Sequence, residues 1–225
     1  MGYKVFINYI LVRLKIRSVL PVYYINRVKI NECGEQLIRI DENADIIIDK
    51  RMQKPVYLRK GVYDKLKLII EDVKKDGYQV KLYDAYRTLE DQIKSWEERL
   101  EQTRREFPEY TEEQVIGATS LRVAKVDDTN NVGGHQTGGA IDITLVKDGV
   151  EIDMGTKYEE YNKKTITRNN LISKEQKNNR KYLKKKLEKR GFSNFPAEWW
   201  HYSYGDRMWA AYTNKKECIY GYIKN

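Results

Sequence analysis

Residues 133–142 read GGHQTGGAID, and this decade governs how the rest of the chain is read. It sets an imidazole, His135, and a carboxylate, Asp142, seven residues apart, with Gly138 and Gly139 between them. Neutral imidazole nitrogen and carboxylate oxygen form a ligand pair suited to Zn²⁺. Adjacent glycines permit the sharp reversal that brings two such side chains to one point. Beyond the turn, AIDITL alternates: Ile141, Ile143 and Leu145 share one strand face, and Ala140, Asp142 and Thr144 the other. Asp142 is therefore expected to point away from the apolar face, towards a cleft or solvent.

A second segment lies far downstream, at Glu198-Trp199-Trp200-His201. His135 and His201 are the only histidines in the chain. A lone histidine is ordinarily a hydrogen-bonded surface or core residue, but here each stands in a segment rich in metal-site chemistry. His135, Asp142 and His201 close a three-ligand set that leaves a fourth position for water, the arrangement of a catalytic rather than a structural zinc. Cys33 and Cys218 fall outside both segments, which makes a thiolate site the weaker reading. On a flat strand the three-residue step from Glu198 to His201 would send the two side chains to opposite faces. A bend at Glu198 would instead let His201 bind metal while Glu198 hangs beside the open position as a general base. The competing role for Glu198 is a fourth ligand or structural carboxylate. Trp199 and Trp200 are expected to wall the site, one of them serving simply as core.

GGHQTGGAID and AEWWHYSYGDRMWA together resemble the two signature segments of the VanX-type D-alanyl-D-alanine dipeptidases, zinc D,D-peptidases related to the VanY-type D,D-carboxypeptidases. The likeness extends to YDAYRT, Tyr83 to Thr88, and to DMGTKYEE, Asp153 to Glu160, which is similar to a Met-Gly-x-x-Phe-Asp segment. It implies that one Zn²⁺ per chain is held by His135, Asp142 and His201. It also implies that Arg87 binds the substrate carbonyl and balances the oxyanion, while Glu198 moves the proton. In the related dipeptidases an aspartate after the aromatic residue helps hold the free amino terminus; here Tyr158 is followed by Glu159. Gly133 stands where the family has a serine of the same pocket. Both departures fall on amino-end recognition and leave zinc ligation and the chemical step untouched. The implied substrate is a small D-configured dipeptide.

A chain of 225 residues, 40% hydrophobic and 33% charged, has the length and composition of one soluble globular domain. Two cysteines make no disulfide framework and are compatible with a reducing compartment. Residues 1–35 read as an N-terminal extension of uncertain role ahead of a catalytic domain over 36–225. Within it, Phe6 to Val12 is apolar but interrupted soon after by Arg13, Lys15 and Arg17, too short a run to span a bilayer. No signal-peptide cleavage site follows, so a cytoplasmic protein is expected, with a membrane-surface or exported form as the alternative.

From Gln36 to Ile48 the pattern reads as a strand, an acidic turn and another strand. Val62, Leu66, Ile69, Ile70 and Val73 recur at helical spacing up to Gly77. Tyr78, Val80 and Leu82 then alternate as a strand that delivers Asp84 and Arg87 at its end. Leu89, Ile93, Trp96 and Leu100 mark a further amphipathic helix capped by Thr88. Residues 107–132 read as irregular and polar, and Val146 to Ile152 as a hairpin around Asp148-Gly149.

Lys177 to Arg190, KNNRKYLKKKLEKR, carries eight Lys or Arg against one Glu, with a narrow seam of Tyr182, Leu183 and Leu187. It is expected to be a solvated helix, with weak contact to an anionic surface as the functional alternative. No zinc finger or stacking-aromatic module supports nucleic-acid binding, and none is expected. The expected fold is α+β: one compact domain with a central antiparallel sheet flanked by helices and the zinc site at the sheet face. A D,D-carboxypeptidase or wall endopeptidase acting on longer peptides is the nearest competing activity. A metal-stabilised binding module without activity is more distant, because both Arg87 and Glu198 are retained.

Overall fold

The computed structural model describes residues 10–11, 19–52, 55–120, 122–123, 125 and 133–223. Most of the apolar N-terminal stretch, and most of 121–132, therefore lie outside the described residues. The chain runs α1 (Val22–Asn26), β1 (Lys29–Ile30), β2 (Leu37–Ile40), β3 (Ile46–Ile48), β4 (Val56–Arg59), α2 (Lys60–Lys74), β5 (Gln79–Asp84), α3 (Leu89–Glu106) and α4 (Glu112–Ser120). A single 3₁₀ turn (His135–Thr137) follows, then β6 (Ala140–Lys147), β7 (Val150–Glu151), α5 (Lys174–Lys189), β8 (Ser193–Asn194), β9 (His201–Ser203), α6 (Arg207–Tyr212) and β10 (Glu217–Cys218).

The principal sheet has the order β3-β5-β6-β9-β8, with β7 pairing the far end of β6. It is mixed: β5, β6, β9 and β8 are antiparallel neighbours, but β3 runs parallel to β5. The expectation of a purely antiparallel sheet is corrected at this edge. Between β3 and β5 the chain makes β4 and α2, and that crossover returns β5 in the direction of β3. Strand β6 lies at the centre and is buried from Ala140 to Val146, on both faces. Its apolar face meets α2, where Val62, Leu66, Ile69, Ile70 and Val73 are all buried at the predicted helical spacing. The β6–β7 hairpin turns through Asp148 and Gly149, both at positive φ (51° and 77°), as a two-residue turn of the primed type requires.

Two helical expectations need revision. Helix α3 begins where Thr88 caps it, its side chain accepting from the Asp91 amide, but its buried face is Gln92, Trp96 and Thr103, and Ile93 is exposed. The polar stretch after residue 107 contains α4, packed on α3 through Val115 and a buried Thr119–Thr103 hydroxyl pair 3.1 Å apart. Its weak apolar periodicity hid it. No helix among the described residues is long and apolar enough to cross a membrane.

Arg59, the last residue of β4, ties the chain's ends to this body. Its guanidinium is 4% exposed and grips Glu32 with two 3.0 Å bonds. It also donates to the carbonyls of Glu35 and Gly221, and its Nε donates to Thr137 O at 2.8 Å. Strand β1 pairs in parallel with β10, and Leu20 and Val28 pack with Trp209, Ala210 and Cys218. Removing one partner of a buried ion pair leaves the other charge desolvated and uncompensated. Because Glu32 is one-third exposed, Arg59→Ala is expected to cost less than the roughly 3–5 kcal/mol of a fully buried pair, though still above about 1 kcal/mol, in urea unfolding. Arg59→Lys should recover only part of that, because an ammonium cannot reproduce the planar fork; a full recovery would show that charge alone matters here.

Candidate metal centre and active site

The site is built on a row across three strands. Register aligns Asp84 of β5 with Asp142 of β6, and Asp142 with His201 of β9. Residues opposite one another on one sheet face hold their side chains within reach, so pairing alone brings Asp142 to His201. A register shift between Leu82 and Asp84 turns the end of β5 towards the same point.

His135 arrives from the loop side. Its 3₁₀ turn ends at Gly138, whose φ of +68° is the left-handed conformation glycine tolerates. A Cβ at Gly138 would stand 2.8 Å from Leu37 Cδ2 and 3.3 Å from the Arg59 nitrogen, and one at Gly139 2.6 Å from the Tyr204 carbonyl oxygen. The double glycine thus lets the turn lie flat between β4 and the segment after β9. The turn is docked by Arg87, whose amide donates to the His135 carbonyl (3.2 Å), and by a 2.8 Å contact between His135 Nδ1 and Ala85 O. A carbonyl only accepts, so His135 Nδ1 carries a hydrogen and Nε2 is the ring nitrogen turned to the cluster.

His135, Asp142 and His201 offer one ligand atom each, all within 4.8 Å of one another. One carboxylate oxygen does most of the gathering. Asp142 Oδ1 lies 2.9 Å from His201 Nδ1 and 3.5 Å from His135 Nε2, while Oδ2 accepts the Tyr158 hydroxyl at 2.9 Å. Two imidazoles and one carboxylate form a donor set that fits Zn²⁺. The electrostatics also favour a cation. Burial alone would depress the His135 imidazole, but Asp84 and Asp142 outweigh it and raise its pKa to about 9. Asp142 is held well below the carboxylate range: burial opposes this, and His135 and His201 overcome it.

Glu198 follows a turn closed by its own amide on the Phe195 carbonyl (3.0 Å), and residues 199–200 bend before β9 begins. The odd spacing to His201 is accommodated by that bend. Burial pushes the Glu198 carboxyl up to about 8; His201 opposes the shift, and Asp142 and Glu159 add to it. Trp199 and Trp200 are both buried. Trp200 meets Tyr158 and Tyr161 edge-on at 5.3 and 5.7 Å, whereas Trp199 is anchored away from the cluster by donating to Thr156 Oγ1. Trp200 thus packs on the tyrosine pair beside the cluster, with Trp199 edge-on behind it.

Arg87 reaches the site held from both sides, by Asp84 on one terminal nitrogen and by Gln92 Oε1 at 2.9 Å on the other. Gln92 in turn accepts from Gln136 at 2.8 Å, which couples α3 to the His135 turn. Burial would weaken the guanidinium's charge; Asp84, Tyr158 and Asp142 outweigh it, so Arg87 stays a fixed cation. Glu159 adopts φ 60° and stands 3.6 Å from Arg51. Burial raises its pKa, Arg51 opposing. Gly133 lies two residues before His135, half-buried, at the lip of the turn.

The residues that the sequence left unassigned are Tyr158 as a hydroxyl donor, Gln92, Arg51 and Asp84 as the partner of Arg87. Only Asp84 carried a local signal, its place three residues before Arg87 at a strand end.

Comparison with known proteins bears on the same segments. The Peptidase_M15 family model, described as D-Ala-D-Ala dipeptidase, matches residues 44–219, and the chain belongs to that family of peptidases. A D-alanyl-D-alanine dipeptidase of Synechocystis sp. is 27% identical over 222 residues, covering 84% of this chain and 90% of its own. Another, of Escherichia coli, is 26% identical over 162 residues, covering 71% of this chain and 73% of its own. A solved structure of the vancomycin-resistance D,D-pentapeptidase VanY from a VanB-type cassette, in complex with Zn(II), resembles the chain at a TM-score of 0.47. Its identity is 18%, over 86% of this chain and 96% of that one.

Any side chain at position 138 must meet both the left-handed backbone and the Leu37 contact. Gly138→Ala is expected to lose about 1–3 kcal/mol, the cost of a non-glycine residue in a sparsely populated region. Urea unfolding measures it, and a neutral result would show that the turn is not constrained there.

Proposed function

We propose that the protein hydrolyses D-alanyl-D-alanine, or a closely related D-configured dipeptide, with one Zn²⁺ per chain held by His135, Asp142 and His201. The observation that carries this is the convergence of those three donors, from a loop and two strands, in a chain of the D-Ala-D-Ala dipeptidase family. When bound, the metal supplies acidification of a water and polarisation of the scissile carbonyl.

The remaining work falls to this chain's own residues. Glu198 takes the proton from the attacking water and passes it to the departing amine; a carboxyl that gains and loses a proton near neutral pH suits both transfers. Arg87, immobilised by Asp84 and Gln92, faces the negative charge that develops on the carbonyl oxygen without having to reorganise. Tyr158 occupies Asp142 Oδ2 and leaves Oδ1 turned to both imidazoles, so its hydroxyl positions the carboxylate as a single-oxygen ligand. Trp200, backed by Trp199, keeps water from the reacting face. Glu159 and Gly133, which stand at the family's amino-end positions, receive the amino end of the substrate.

One observation favours a second reading, a D,D-carboxypeptidase or peptidoglycan endopeptidase with the same chemistry. The Glu159 carboxylate shares its charge with Arg51 at 3.6 Å, which weakens its claim on a free ammonium. Hydrolysis of D-Ala-D-Ala measured beside an N-acylated tripeptide, each with and without chelator, separates the two. Chelator should abolish whichever activity is present.

Glu198→Ala is expected to lower turnover by about 10²–10⁴-fold while zinc stays bound; unchanged turnover would remove Glu198 from its role. Tyr158→Phe keeps the ring and deletes only the hydroxyl. It should weaken zinc affinity by about 10-fold or more in chelator competition, and wild-type affinity in that variant would show that the hydroxyl holds nothing.

A further inference from the structure

Helix α5 and the loop before it enclose a groove of about 930 Å³. Its lining carries seven Lys or Arg against one acid, Glu188, which pairs with Lys184, and contains no aromatic side chain. Lys177, Lys181, Lys185 and Lys189 recur every four residues along α5, so they form one stripe on the helix surface. At 1.5 Å per residue that stripe is about 18 Å long. Arg168 faces it from the loop. Among the described residues, Arg168, Lys181 and Lys185 form no ion pair, although Lys189 reaches Asp72 at 3.5 Å.

A second, independent feature lies in the same lining. Arg180 is 2% exposed, a buried cation whose bonds go only to backbone carbonyls: Met154 at 2.6 Å, Lys164 at 2.9 Å and Ile166 at 2.7 Å. No carboxylate pairs with it among the described residues, and its Nη2 has no acceptor. Burial depresses its pKa to about 10, and Tyr202 and the more distant Asp153 offset only part of that shift. Buried charges are ordinarily paired, because desolvation is otherwise uncompensated. Thr167 Oγ1, also buried in the lining, lacks a partner as well.

We infer that this groove binds a linear, phosphate-bearing polymer without bases, such as a polyphosphate or polyol-phosphate chain. The unpaired ammonium groups of Lys181 and Lys185, about 6 Å apart along the helix, with Arg168 facing them, fit successive phosphates along an extended chain better than one compact anion. The uncompensated guanidinium beneath it supplies a fixed positive field that a polyanion completes. Single-stranded nucleic acid is disfavoured because base stacking needs aromatic platforms that the groove lacks. The inference is independent of the proposed hydrolysis.

The test titrates the full-length protein with inorganic polyphosphate, with inorganic phosphate and with a single-stranded DNA oligomer of similar charge, followed by calorimetry. Polyphosphate should bind tightest, and its affinity should fall roughly tenfold or more between about 50 and about 200 mM salt. Lys181→Glu with Lys185→Glu should weaken it by about tenfold or more, and Arg168→Glu on the opposite wall should weaken it independently. Hydrolysis and melting temperature should not change. Lys215→Glu with Lys216→Glu, away from the groove, should leave binding intact. Absence of polyphosphate binding, binding indifferent to the groove variants, or equal affinity for phosphate or DNA would each overturn the proposal.

Discussion

The Asp142 carboxylate is the charge around which this molecule is assembled. It sits on the central strand of the sheet, 5% exposed, where an ionised group without partners would be strongly unfavourable. Every element that borders it contributes compensation. β9 supplies His201 through register, the glycine turn supplies His135, and the segment after β7 supplies the Tyr158 hydroxyl. The three partners come from regions far apart in the chain, so the cluster exists only when β5, β6 and β9 are paired and the loops are docked. A metal ion bound by the same donors would stabilise the folded state over the unfolded one by mass action.

Much of this was legible because it rests on local pattern. Alternation in AIDITL marks β6, helical spacing marks α2, and the rarity of histidine singles out His135 and His201. The elements that were not legible depend on contacts between distant residues or on side-chain atoms with no periodic signature. The parallel pairing of β3 with β5 follows from the β4–α2 crossover between them, which strand pattern cannot show. Helix α4 is short and only weakly amphipathic, and two buried threonine hydroxyls help hold it to α3. Arg59 looks like one basic residue among many, yet its surroundings place it between both ends of the chain and the His135 turn. The Tyr158 hydroxyl is the sharpest case: beside a phenylalanine in the resembling segment it reads as a conservative change, and the structure puts its one extra atom on Asp142.

Charge is distributed unevenly over the two faces of the sheet. Around and beside the His135–Asp142–His201 cluster, cations and anions alternate at close range: Arg87 with Asp84, Arg51 with Asp49 and Glu159, Lys81 with Asp49 and Glu151. Such interleaving fixes side chains more than it stabilises the fold, since each pair repays much of its Coulomb energy in desolvation. Helix α5 is different. Its inner edge is neutralised by α2, where Asp72 takes Arg190 and Lys189 and Asp76 takes Lys186. Its outer edge keeps its excess.

Arg180 joins the two faces. Its donors hold the carbonyls of Met154, Lys164 and Ile166, and its guanidinium carbon lies 5.8 Å from the Trp199 ring centroid. Met154 precedes by four residues the tyrosine that meets Asp142, and Trp199 backs the indole that faces the cluster. One buried side chain therefore fixes the loop that carries Tyr158 and Glu159 against the segment that carries Glu198 and His201. Retaining an uncompensated cation at that junction has a structural cost, and three backbone carbonyls offset only part of it. A lysine would supply the charge without the fork that reaches three carbonyls at once, and a neutral residue would release the loop. The geometry of the junction, more than its charge, is what holds these two segments together.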